Sequence, residues 1–309
     1  MSEPALRVGF AIAARLRVGM VASVFLIEAI VAWVLAAPWT ELFSRLWGTH
    51  PDGDRALWWQ RGHIDLVDFL GQHRAELRAL TDATTVGLLA WMLVALLPLG
   101  ALLAALSEEG RFDLRRAGQR AGASFGRLAL IQFAAVALSI VAILVFFVLP
   151  YALTKGALSA WPNPRHALLA RVGFFALLIL ALAYVVAACD LARALVVRQD
   201  RRALSALLAA ARSPRAVVAL AGASSPRWIA SLGALGCGAA FSSIASSVTA
   251  IFLAHQVLAF TRVLLRASVL ARALRISDRI EAKVSPIPPP ADPGSEQRVN
   301  DARAPEGAT

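Results

Sequence analysis

HALLARVGFFALLILALAYVVAAC (His166–Cys189), continued by DLARALVVRQDRRALSALLAAARSPR (Asp190–Arg215), decides the fold class. The first part is an apolar run longer than the 18 or so residues that a helix needs to cross a bilayer. The second part is rich in arginine, as the cytoplasmic end of a span is. The same plan, an apolar helix followed by an arginine-rich elbow, recurs along the chain. It predicts an all-α, polytopic transmembrane helix bundle.

The bulk numbers agree. The chain has 309 residues, of which 58% are hydrophobic. That exceeds the ~45–50% of soluble domains even with glycine counted in the latter. The formal net charge of +11 suggests nucleic acid at first sight. The arginines cluster beside hydrophobic blocks, however, where they orient helices and meet anionic lipid headgroups, so no nucleic-acid partner is expected. Heavy use of alanine and arginine points to a GC-rich bacterial genome. The two cysteines, Cys189 and Cys237, lie in or at the end of apolar runs and read as small buried side chains.

Residues 1–17 are short and basic (Arg7, Arg15, Arg17) and are placed in the cytoplasm. The first span is read at about 18–37. It is too long for a signal-peptide apolar region and carries Glu28 in its middle. Residues 38–83 form an outer loop of mixed charge. Its tryptophans (Trp39, Trp47, Trp58, Trp59) suit an interface, and its apolar residues at helical spacing suit amphipathic helices. The second span, about 84–106, holds Pro98 and is expected to kink. The elbow 107–127 carries Gly118, Gly122 and Gly126 at spacing four, a ridge suited to close helix approach. The third and fourth spans are read at about 128–152 and 166–189. Asp200 is expected to cap a short helix at 201–212. Residues 216–225 either dip into the interface or join the next helix through a break at Pro226. The fifth and sixth spans are read at about 226–248 and 250–274. Six spans put both termini in the cytoplasm. The helical domain covers 1–283, and the tail 284–309, rich in Pro, Gly and charge, is expected to be disordered.

Ionisable residues in hydrocarbon cost at least ~2.5–3.5 kcal/mol each on insertion scales, so they face partners or wet cavities. Glu28 lies ~15 Å from the inner end of span one and Arg262 ~16 Å from the inner end of span six, counting ~1.5 Å per residue. The equal depth predicts a Glu28–Arg262 pair. Arg266, one turn nearer the cytoplasm, is expected to pair with Asp190. Gln132 and Gln256 are expected to make interhelical hydrogen bonds.

Motifs for chemistry are weak. His50, His63 and His73 do not converge at ligand spacing, so no metal site is expected. No P-loop, His-Glu-x-x-His or Gly-x-Ser-x-Gly pattern occurs. No catalytic residue and no cofactor is expected. The arginines of the two inner elbows (Arg115, Arg116, Arg120, Arg201, Arg202) are candidate contacts for anionic headgroups or for a docked membrane or cytoplasmic protein.

Two passages carry a resemblance: Asp190-Leu-Ala-Arg193-Ala, leading into a basic helix, and His255-Gln256 followed by Arg262 and Arg266. With the six-span layout they resemble a loose group of bacterial inner-membrane proteins. The resemblance covers about the last half of the chain and implies a multi-pass helical protein with no assigned activity. The expected role is a non-enzymatic scaffold or accessory component. The alternatives are a transporter or permease subunit with a polar path near Glu28 and Arg262, and a membrane-embedded lipid-modifying enzyme. A transporter requires a wet polar cavity at these residues, whereas a scaffold requires them dry and paired.

Overall fold

The computed structural model describes residues 18–47, 71–108, 113–160, 164–244 and 248–284. The basic N-terminal residues, most of the outer loop with His50, His63, Trp58 and Trp59, and the tail lie outside them. So do the side chains of the fifth-span serines and Cys237.

Helices follow the apolar runs. In chain order they are α1 (Val18–Trp47), α2 (Arg74–Val94), α3 (Leu96–Ser107), α4 (Leu114–Ile143), α5 (Leu149–Ala160), α6 (Pro164–Gln199), α7 (Ala203–Ala211), α8 (Pro214–Ile244) and α9 (Val248–Val284). No strand occurs among the described residues. The expected loops are narrower than read, because α1 continues through Pro38 to Trp47 and α2 already begins at Arg74. Trp39 Nε1 donates to Thr84 Oγ1 at 2.8 Å and ties these two helices together.

Proline explains the irregularities. It lacks an N–H, and its ring crowds the carbonyl four residues back. Pro98 therefore presses on Val94, and the second span breaks there into α2 and α3. Pro150 presses on Phe146, which lies in the π-helical turn Leu144–Val148 between α4 and α5. Pro226 does not break α8: residues 216–225 join the next helix, but without the expected break. The Gly222 carbonyl that Pro226 leaves unbonded accepts instead from Ser225 Oγ at 2.8 Å.

Among the described residues four segments are long and apolar enough to cross a membrane: Val18–Arg45, Arg74–Ser107, Leu114–Gly156 and Arg165–Gln199. A fifth is the pair α7 and α8, bent by 89° at Arg212–Ser213. Of the six expected spans, four or five are recovered by length and composition among the described residues. α9 is not among them, and it carries His255, Gln256, Arg262 and Arg266 within its apolar run.

Buried side chains gather where α1 begins, α3 ends, α4 begins, α6 ends and α9 ends. Val21, Leu103, Leu128, Leu195 and Leu270 are fully buried there. The other half of the bundle presents large apolar side chains outward, among them Trp33, Leu153, Leu180 and Ile229. Contiguous exposed apolar surface of this extent suits hydrocarbon, not water.

Two local expectations are corrected. Gly118, Gly122 and Gly126 are exposed, with open space where a Cβ would stand, so among the described residues this ridge receives no helix. The close approach is made at Gly100 of α3, where a Cβ would lie 3.1 Å from Leu128 Cδ1 and 3.3 Å from Ala121 Cβ of α4. Asp200 does not cap α7, whose N-cap is Arg202 without a side-chain bond. Asp200 instead ends α6 with φ of 51° and meets Arg127 Nη2 at 2.5 Å.

Candidate functional site

Four helices place polar side chains around one cavity of about 450 Å³. α1 supplies Glu28, α2 supplies Trp91, α8 supplies Arg227 and Trp228, and α9 supplies Arg262 and Arg266. The remaining walls are mainly apolar, with Val31, Leu35 and Leu88 among them. Arg262 and Arg266 are one helical turn apart and so share a face of α9. The edge-to-face contact of Phe25 with Phe260, centroids 5.4 Å apart, fixes α1 against α9 just below that face.

Glu28 receives both arginines of α9. Arg262 Nη2 lies 3.4 Å from one carboxylate oxygen and Arg266 Nη1 lies 3.5 Å from the other. The expected Arg266–Asp190 pair is replaced. Asp190 is taken by Arg193, one turn along α6, at 2.5 Å, and both side chains are almost fully buried. An in-helix neighbour at i+3 reaches a buried carboxylate with no demand on helix packing. Arg193 also donates to Gln132 Oε1 of α4 at 2.6 Å, so Gln132 makes an interhelical bond through a residue that sequence reasoning did not select.

Arg227 is the other residue that sequence reasoning missed. It makes no side-chain hydrogen bond or ion pair among the described residues, yet it lines the cavity. Its signal was the apolar run 216–225 ahead of it. Once α8 is one helix from Pro214, Arg227 lies ~20 Å along it, counting ~1.5 Å per residue. Three guanidinium groups and one carboxylate thus line this half-open recess among the described residues, an excess of positive charge beside apolar walls. Guanidinium groups so placed are able to hold an anion by charge-assisted hydrogen bonds. Trp91 and Trp228 add flat apolar walls.

The elbow arginines are more committed than expected. Arg116 pairs with Asp113 at 3.5 Å and Arg120 with Glu108 at 3.2 Å. Arg115 and Arg202 are exposed, and Arg201 is half-buried. Arg127 Nη1 donates to the Asp200 carbonyl at 2.9 Å, which joins the two elbows into one surface. His73 sits 3.9 Å from Glu76 on its own helix. Among the described residues no three His, Cys, Asp or Glu side chains converge as metal ligands.

No known protein family, curated protein or solved structure matches the chain.

Proposed function

We propose that this is a multi-pass protein of the bacterial inner membrane that binds an anionic molecule inside the bilayer and acts as a transporter or permease subunit. The observation that carries the reading is the cavity lined by Arg227, Arg262 and Arg266, with Glu28 as the one acidic residue among its described lining residues. A scaffold needs such groups paired and dry, since an uncompensated charge in hydrocarbon costs at least ~2.5–3.5 kcal/mol. Here Arg227 lacks a carboxylate partner among the described residues, and there is room for a ligand. A lipid-modifying enzyme needs an acid and a base that converge on a reacting atom, whereas Glu28 is engaged by two arginines.

In this reading α9 is the sixth span. It is shielded by α8, α6, α1 and α3, so it tolerates arginines that a lipid-facing helix would not. Both termini are then cytoplasmic, and the joined elbows lie on the inner side, as the arginine excess requires.

The test is cysteine accessibility. Ser231, which lines the cavity, is replaced by cysteine in a Cys189→Ser, Cys237→Ser background and reconstituted in liposomes. An anionic, membrane-impermeant thiol reagent should label it, and millimolar inorganic phosphate or a dicarboxylate should slow the labelling. A site that stays inert until the protein is denatured would sink the proposal and return the scaffold reading.

A further inference from the structure

A second basic recess lies at the bend between α7 and α8, some distance along the chain from the cavity residues. It has a volume of about 720 Å³ and is bordered by Arg212 and Arg215 at the bend and by Arg272, Arg275 and Arg279 on the last turns of α9. Among the described residues no acidic side chain lines it. Arg212, Arg215 and Arg279 form no ion pair among the described residues. Its floor is apolar, with Ala216, Ala219, Ile276 and Ile280.

We infer that this recess binds the headgroup of an anionic phospholipid carrying more than one negative charge. Three observations favour a lipid over a soluble anion or an acidic protein. Arg212, Arg215 and Arg279, which form no ion pair among the described residues, match phosphate oxygens, which guanidinium groups grip in bidentate fashion. The apolar floor suits the glycerol backbone and the first methylenes of acyl chains, which a free phosphate lacks. Beyond the recess α8 continues as a helix with exposed Val218, Ile229 and Leu232. At 100° per residue these fall within about 100° of Arg215 around the helix, so one stripe runs from the charged recess onto an acyl-facing surface. Basic pockets at the inner ends of membrane helices take multiply charged headgroups in this way. The three unpaired arginines ask for more charge than a monoanionic headgroup brings. The inference is independent of what the intramembrane cavity binds.

The experiment is lipid retention by the full-length protein in mixed detergent–lipid micelles, read by native mass spectrometry. Cardiolipin is compared with phosphatidylglycerol at equal total charge, and with phosphatidylcholine. The unaltered protein should retain cardiolipin at least ~tenfold better than phosphatidylglycerol. Arg212→Gln with Arg215→Gln and Arg279→Gln should abolish that preference. The control, Arg115→Gln with Arg116→Gln and Arg120→Gln, removes as much charge from the neighbouring elbow and should keep the preference. Equal losses in the two triple variants would overturn the site in favour of diffuse attraction. Displacement of cardiolipin by millimolar inorganic phosphate would overturn the lipid in favour of a free anion. If the triple variant fails to fold, the unaltered protein still decides, since lack of a cardiolipin preference there refutes the inference.

Discussion

Arg266, at the middle of α9, and Glu28, about a third of the way along α1, lie 3.5 Å apart, with Arg262 on the second carboxylate oxygen at 3.4 Å. One acid therefore holds two bases, and it is the acid that limits the charge of the cavity. Glu28→Gln should raise that charge by one. Protection of the Ser231→Cys label by phosphate should then set in at lower concentration, by a factor of several. The folded state should lose about 1–3 kcal/mol, because a carboxylate that bridges two helices is gone. Thermal unfolding in detergent and the labelling assay measure the two effects separately, and a fall in both anion protection and stability would contradict the assignment.

The buried pair Asp190–Arg193 responds differently. Arg193→Gln leaves Asp190 without its cation in the protein interior and severs the bond to Gln132. It should cost about 3–5 kcal/mol. Adding Asp190→Asn should recover a large part of that cost, because the uncompensated charge is then removed. A double-mutant cycle on thermal unfolding checks this, and strictly additive losses would refute the coupling.

The glycines divide by location. Gly100→Leu should destabilise by at least about 1–3 kcal/mol, since Leu128 and Ala121 already stand within van der Waals contact of its Cα face. Gly118→Ala, Gly122→Ala and Gly126→Ala meet open space and should be neutral or stabilising, by up to ~1 kcal/mol each from helix propensity. If the ridge variants lower the melting temperature instead, the ridge is in contact with a second molecule.

Asp200 has φ of 51°, in the left-handed region that costs most side chains about 1 kcal/mol or more. Asp200→Gly should therefore be tolerated better than Asp200→Ala, although both lose the contact with Arg127. The order of the two melting temperatures is the readout. Alanine equal to glycine would show that the backbone is not held there.

By itself the sequence determined that the protein is helical and built for a membrane. Both properties are local: a run such as His166–Cys189 is apolar whatever it packs against, and it lies inside one helix, α6. Equal depth of Glu28 and Arg262 was also legible, because rise per residue converts chain position into height. The tertiary structure decided what height alone does not contain. Each residue turns a helix by about 100°, so the partner of a charge depends on helix rotation and on which helices are neighbours. That is why Asp190 takes Arg193 from its own helix and Arg266 turns to Glu28. It is also why Gly100 is the point of close approach while the regular ridge at 118–126 stays open. Arg227 joins the cavity because α8 runs unbroken through Pro226, where Ser225 bonds the carbonyl that the proline leaves free.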